Sequence, residues 1–217
     1  MSSRRAPLPA SAAAVAAAVL VVAASAAQAA TVSLDRPCYV GGQPMIASGT
    51  AFSPGAPVML GGYQQFPAVT ADPAGNFRVG LIAPPSPKLG ARGSVPAKLT
   101  VTDLGPLAQT ASADYRLVNF DVDRGTSRDP RTTRTWHFSG FATGTVVYGH
   151  VRLKGRTVAN HRFGTATGEC GMLHARAAGI PVPGVHAGAW TVQVDGHQHY
   201  AATTRPALVL KISVFVR

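Results

Sequence analysis

The chain has 217 residues, and its 20 lysines and arginines against nine acidic residues give a formal net charge of +11 at pH 7. The few acidic residues form no pair suited to glycosidase chemistry, and the Gly-x-Ser-x-Gly motif of hydrolases is absent. Composition and motifs therefore give no support to the common classes of hydrolase.

Residues 1–29 have the three regions of a secretory signal peptide. Arg4-Arg5 form the cationic start, an alanine-rich apolar run extends from about Ala12 to Ala27, and Ala27-Gln28-Ala29 is a small-x-small cleavage site. The run is shorter than a membrane span requires, so we expect cleavage after Ala29 and no transmembrane span in the mature protein. Pro7 favours Sec export, with the twin-Arg route left open.

The rest of the chain contains a long internal repeat. Ser48–Val58 reads Ser-Gly and then Phe-x-x-Gly-x-x-Val, as does Ser139–Val147, and Gly49 and Gly140 are 91 positions apart. Leu99-Thr100-Val101 before Asp103 corresponds in the same way to Trp190-Thr191-Val192 before Asp195. Solenoid repeats are only about 20–50 residues long, so this repeat predicts two related domains, residues 30–117 and 118–217.

Apolar residues alternate with a period of two between glycine- and proline-containing turns, which is typical of strands with one buried face. We predict strands near residues 32–34, 45–50, 57–61, 76–82, 97–103 and 111–117, and then near 118–122, 133–138, 146–153, 157–162, 170–175, 189–195 and 207–216. About seven short strands per domain fit an antiparallel β-sandwich. No linker interrupts residues 115–120, so we expect a stiff tandem.

The first domain resembles the bacterial immunoglobulin-like domains of exported proteins, as in high-GC Gram-positive bacteria. Ser48–Val58 and Thr70–Phe77 carry the resemblance, and Trp136–Phe141 and Trp190–Asp195 mark the second domain as a divergent copy. The resemblance implies an all-β fold of two tandem immunoglobulin-like antiparallel β-sandwiches. It brings no catalytic residues, because sandwiches of this kind host many unrelated functions.

The two cysteines, Cys38 and Cys170, fall one in each domain. In an oxidising compartment an even number of cysteines favours pairing. A bridge between them closes a loop of about 130 residues, which the chain-entropy model values at roughly 4–5 kcal/mol. Two separate buried thiols are the alternative, which the sequence leaves open.

The second domain carries most of the positive charge and every histidine. Residues 118–217 contain twelve lysines and arginines against five acidic residues. Arginine and tyrosine suit anionic or sugar ligands through bidentate hydrogen bonds and stacking. The predicted binding residues are Tyr148, Arg152, Lys154, Arg156, His197, His199 and Tyr200. The alternative is a scattered, solvated face.

Four of the histidines carry specific expectations. His197-Gln198-His199 places both rings on one face of an extended segment, which suits zinc or copper. With two ligands in sight the pair is a weak candidate, and we expect no resident metal or cofactor. His137 is expected to lie off the Trp136–Phe138 core face without a partner, and His150 to share an exposed face with Arg152.

The favoured function is a non-catalytic secreted or cell-surface immunoglobulin-like module with a structural or adhesive role. Its partner is an anionic envelope polymer, a glycan or another surface protein rather than nucleic acid. Two alternatives stay open: a metal-binding exported protein that uses His197 and His199, and an unrecognised extracellular hydrolase. The sequence specifies neither the ligand nor the oligomeric state.

Overall fold

The structure is a computed structural model that describes residues 28–87, 89–125 and 129–215. The predicted signal peptide lies outside the described residues except for residues 28 and 29. In the described part of the chain, no helix has the length and apolar character required to span a membrane. Strands supply almost all of its regular structure.

The first half of the chain builds two sheets from eight strands: β1 (Thr31–Leu34), β2 (Cys38–Val40), β3 (Pro44–Thr50), β4 (Pro57–Gly62), β5 (Val69–Thr70), β6 (Phe77–Ile82), β7 (Ser94–Asp103) and β8 (Thr110–Val118). One sheet has the order β1-β3-β6 and the other β2-β8-β7-β4-β5. The pairs are antiparallel except that β2 runs parallel to β8. A short 3-10 helix, η1 (Gly90–Arg92), precedes β7.

The second half builds two further sheets from seven strands: β9 (Asp121–Asp123), β10 (Thr133–Ser139), β11 (Val146–Leu153), β12 (Arg156–Thr165), β13 (Leu173–Ala178), β14 (Gly188–Asp195) and β15 (Leu208–Val214). Their orders are β9-β10-β13 and β12-β11-β14-β15. The strand order of the first half thus recurs in the second. Only β2 has no counterpart, and the two-residue β5 is replaced by the ten-residue β12.

The predicted fold class, all-β with tandem immunoglobulin-like sandwiches, is confirmed. The sequence prediction omits β2 and β5, because strands of three and two residues are too short to show alternation. It also places the strand after the boundary at 118–122, whereas β9 begins at Asp121. The sheets of the two halves share no strand, and the boundary near residue 117 remains a prediction.

Each half has its own hydrophobic core, built from the residues that alternate inward. In the first core the rings of Phe52 and Phe77 lie 5.4 Å apart. In the second core Phe163 packs against Trp136 at 4.9 Å and Phe138 at 4.7 Å. The repeated Ser-Gly frame places Phe52 in the core of the first half and Phe141 in the core of the second.

The two halves are joined closely. A disulfide links Cys38 in β2 to Cys170 in the β12–β13 connection, 132 positions later. It packs against Val118, the last residue of β8. The η1 side chain of Arg92 forms an ion pair of 2.6 Å with Asp123 in β9. A covalent bond at β2 and a direct ion pair at β9 thus connect the two halves at two separate places.

Candidate binding surface

The predicted binding residues lie on or beside the sheet β12-β11-β14-β15. Val147 and Val151 of β11 are buried in the core. Because side chains alternate along a strand, Tyr148, His150 and Arg152 point to the outer face of the sheet.

The cross-strand register adds two more cations to this outer face. Arg162 in β12 lies opposite Tyr148. Arg152 lies opposite Thr191 in β14, which in turn lies opposite Lys211 in β15. Residues that are directly opposite share one face, so Arg152 and Lys211 flank the same row.

The charge on this part of the molecule is almost entirely positive. Residues 146–165 and 188–214 contain six lysines and arginines, namely Arg152, Lys154, Arg156, Arg162, Arg205 and Lys211. Their only acidic residue is Asp195, which is 0% exposed. No ion pair involves these six cations within the described residues. We call the exposed residues Lys154, Arg156, Arg162 and Lys211 the basic surface.

A tight turn presents two members of the basic surface. Lys154 has φ 49° and Gly155 has φ 79°, so the β11–β12 hairpin turns through two residues at positive φ. Positive φ at both positions gives the turn a twist that matches the twist of the two flanking strands, so the turn continues the sheet without splaying them. The charges of Lys154 and Arg156 therefore project from a rigid hairpin.

Arg152 is less available than its sequence position suggests. Its guanidinium carbon lies 4.2 Å from the centre of the Tyr200 ring, a cation–π contact. Its Nη2 donates to the backbone oxygen of Gly155. The structure thus brings two of the predicted binding residues, Arg152 and Tyr200, into contact with each other. We infer that Arg152 holds the hairpin and the loop in place while neighbouring cations remain free.

His150, in the same sheet, is a fully buried polar residue at 0% exposure. Its Nδ1 lies 2.7 Å from Oδ1 of Asn160, and its Nε2 lies 3.1 Å from Oδ1 of Asp195. Both neighbours are oxygen atoms, so each ring nitrogen of His150 has a hydrogen-bond partner.

Asp195 receives further hydrogen bonds. The side chain of Gln193 donates to its Oδ2 at 2.8 Å, and the backbone amide of His197 donates to its Oδ1 at 2.8 Å. With His150, these bonds give Asp195 three hydrogen-bond partners in a site held away from water, as a buried carboxyl requires.

The expectation that His150 is exposed beside Arg152 is wrong. The ring lies on the expected face, but the β14–β15 connection, residues 196–207, folds back over it. Tyr200 packs against the His150 ring at 6.0 Å, and the oxygen of Ala201 accepts a hydrogen bond of 3.0 Å from Gln193. Gln193, which the alternation of β14 places on the exposed side, is buried for the same reason.

Sequence reasoning also missed Asn160 and Gln193 as functional neighbours of His150. Each lies directly opposite His150, in β12 and β14 respectively. In the sequence, both residues are recognisable only as polar side chains in the middle of predicted strands. That observation points to His150 only when the order of the strands in the sheet is known.

The buried pair of His150 and Asp195 does not form a hydrolase site. A general base needs a free ring nitrogen aimed at a nucleophile. Both nitrogens of His150 already face Asn160 and Asp195. Together with Asn160, the pair acts as a structural link between three strands.

The two histidines that are weak metal candidates lie in the β14–β15 connection. The side chain of His197 is 65% exposed, and its Nδ1 lies 3.8 Å from Oδ1 of Asp195. His199 is exposed. Among the described residues, no group of three or more histidine, cysteine or carboxylate side chains is arranged to hold a metal ion.

Two open clefts lie at the junction of the two halves. One, of about 320 Å³, borders the disulfide and is lined by Arg36, Gln43, Thr143 and Glu169 among others. The other, of about 640 Å³, lies between β2, the segment before η1 and the start of β9. Neither contains a member of the basic surface.

No family model matches the chain, and no curated protein matches it. Solved structures are similar to it. One is a Ca²⁺-stabilised adhesin with which an Antarctic bacterium binds ice, at 16% identity and a TM-score of 0.32. That similarity covers 85% of this chain and 47% of the adhesin chain, so this chain spans about half of its length.

Two others are similar over most of their own length. The fibronectin(III)-like modules of Clostridium thermocellum CbhA align at 10% identity and a TM-score of 0.28, covering 84% of this chain and 93% of theirs. The human OSCAR ligand-binding domain aligns at 10% identity and a TM-score of 0.32, covering 86% and 98%. These likenesses are of all-β fold, and the ligands named for those proteins are theirs alone.

Proposed function

We propose that the chain is a non-catalytic module of an exported protein, secreted or held at the cell surface, and that its basic surface binds an anionic polymer or glycan of the envelope. The observation that carries this proposal is the charge of the sheet β12-β11-β14-β15. Six cations lie on its strands and connections, and its single carboxylate is buried. Within residues 146–165 and 188–214, no exposed acidic side chain is present to neutralise them.

The physical basis is electrostatic attraction with a fixed geometry. Like charges gathered on one sheet raise the local concentration of a polyanion and speed its association. Lys154 lies in a two-residue turn, Arg156 begins β12, and Arg162 and Lys211 lie within strands. The backbone that carries these side chains is therefore already ordered before a ligand binds. Half-buried Tyr148, opposite Arg162, offers a ring on which a sugar can stack.

The structural part of the proposed role rests on the junction. The Cys38–Cys170 disulfide and the Arg92–Asp123 ion pair connect the two halves at separate places. Only residues 119 and 120 separate β8 from β9. A tandem joined in this way suits a spacer that holds its basic surface at a fixed distance from an attachment point.

The test compares binding to dextran sulfate with binding to neutral dextran, using the chain without residues 1–29. We expect saturable binding to the sulfated polymer only. The triple variant K154Q/R156Q/R162Q should lower the affinity about tenfold or more at low salt. It should also flatten the salt dependence of binding, because a protein that makes fewer ionic contacts releases fewer counterions when it binds.

The control is R78Q/K98Q/R116Q, which removes the same charge from exposed residues of the first half. We expect it to retain most of the binding. Equal losses in the two triple variants would show that net charge alone drives association, and would refute a binding site on the basic surface.

A further inference from the structure

A second set of histidines lies on the other sheet of the second half, away from the basic surface. In the sheet β9-β10-β13, His137 lies opposite His174 on one side and opposite Asp123 on the other. Trp136 and Phe138, its neighbours in β10, are buried in the core. Since side chains alternate, the row of Asp123, His137 and His174 occupies the outer face.

The two rings are close and one of them is unsatisfied. The ring centroids of His137 and His174 lie 4.5 Å apart at an interplanar angle of 71°. The Nδ1 of His137 is buried and has no hydrogen-bond partner. His174 is exposed, so its ring is free to turn a nitrogen toward the same point. The expectation that His137 has no partner is therefore wrong: its ring packs against His174, although its Nδ1 makes no hydrogen bond.

The other charged residues placed near the pair are two aspartates and two arginines, so their net charge is close to zero. Asp121 and Asp123 extend from β9, Arg92 approaches from η1, and Arg176 lies two residues beyond His174 in β13. The carboxylate of Asp123 is engaged by Arg92 at 2.6 Å and by the amide of Gly125 at 2.7 Å.

We propose that His137 and His174 form a two-histidine site for a late divalent transition metal ion, bound most tightly as Cu²⁺, with water completing the coordination. Imidazole nitrogen suits copper, nickel and zinc, and Cu²⁺ heads the affinity order for such ligands. Water is needed because no group of three or more protein ligands is arranged for a metal among the described residues. The site is independent of the basic surface and of the proposed function.

The geometry of the backbone distinguishes this pair from His197 and His199. Strand pairing fixes the spacing of His137 and His174, whereas His197 and His199 lie in the long β14–β15 connection. A pair held by two strands loses less freedom when it binds an ion. The bound ion would also bridge β10 to β13, so binding should stabilise the folded second half.

The experiment titrates the chain without residues 1–29 with Cu²⁺ by calorimetry, and records the electron paramagnetic resonance spectrum of the complex. We expect one site with nitrogen coupling from two imidazoles. H174N should lower the Cu²⁺ affinity by about tenfold or more, and H137N should do the same. H174N is the decisive variant, because His174 is exposed and its replacement leaves the core intact.

The matched control is H197N/H199N, which removes two histidines from the loop. We expect it to change the affinity less than about threefold. Unchanged Cu²⁺ binding in H174N, or loss of binding in H197N/H199N alone, would overturn the proposal. Ca²⁺ prefers oxygen ligands and should not displace Cu²⁺. Displacement by Ca²⁺ would likewise overturn it, since that would assign the ion to the carboxylates.

Discussion

The two halves of the molecule each bury a carboxylate at the end of the corresponding strand, and they use it differently. In the first half β7 ends at Asp103, whose Oδ2 accepts bonds from the amide and hydroxyl of Ser53 at 2.8 and 2.7 Å. Its Oδ1 accepts the amide of Gly105 at 2.7 Å. Asp103 thus connects the turn at Ser53 to the turn that follows β7. In the second half β14 ends at Asp195, which links His150, Gln193 and the following loop.

The difference follows from the lengths of the neighbouring segments. The connection after Asp103 spans residues 104–109, whereas the connection after Asp195 spans residues 196–207. The longer loop covers the outer face of its sheet and makes room for a buried histidine beneath it. A fold can therefore retain one buried acid in two copies while the surrounding insertions decide whether it closes a turn or anchors a loop.

The largest expected effect comes from D195A. This variant leaves His150 and Gln193 buried without their acceptor, which should cost about 3–5 kcal/mol in the free energy of unfolding. Both tryptophans, Trp136 and Trp190, lie in the second core, so tryptophan fluorescence in urea reports on this half. We expect the fluorescence-detected midpoint to fall sharply.

D103A is the matched control for D195A, because it removes the corresponding carboxylate from the other half. It should lower the tryptophan-detected stability by much less. An equal loss in the two variants would show that the halves unfold as one unit, and would contradict a local role for Asp195.

A smaller effect is expected from D103N, together with a change in pH dependence. Burial alone would raise the pKa of Asp103, but the hydrogen bonds from Ser53 and Gly105 outweigh it and lower the pKa. The stabilisation is therefore complete above the unfolded value of about 3.9 and is lost as pH falls through the lower folded pKa. D103N should cost about 1.5–3 kcal/mol at pH 7 and remove this acid-dependent component.

The measurement is the amide resonance of Ser53, which should titrate with Asp103, combined with urea unfolding at pH 7 and pH 3. The control is D114N, which alters an exposed carboxyl paired with Lys98 at 3.5 Å and should change stability by no more than about 1 kcal/mol. A D103N protein that keeps the acid dependence of the native chain would refute the assignment.

Much of the fold could be predicted because alternation is a local property. The strand predictions at 45–50, 57–61 and 146–153 match β3, β4 and β11 closely, since each turns every second side chain toward the core. Turn chemistry was equally local. Asp72 accepts the amides of Ala74 and Asn76 at 2.8 Å, just before the buried ring of Phe77.

The contacts that define the site could not be predicted, because they depend on which strands are neighbours. His150 and Arg152 share a face, as alternation requires, but the loop that buries His150 returns from 46 to 57 residues later in the chain. His137 and His174 likewise meet only through the pairing of β10 with β13. Spacing within one segment carries no information about such partners.

The smallest expected effect comes from H197A, and it separates the loop's backbone from its side chain. The ring of His197 is largely exposed and 3.8 Å from Asp195, a surface pair worth about 0–1 kcal/mol. The hydrogen bond that anchors the loop comes from the His197 amide, which alanine retains. We expect a change within about 0.5 kcal/mol by tryptophan-detected unfolding, whereas H197P, which removes the amide donor, should destabilise clearly. A large loss in H197A would mean that the exposed ring, rather than the backbone, ties the loop to Asp195.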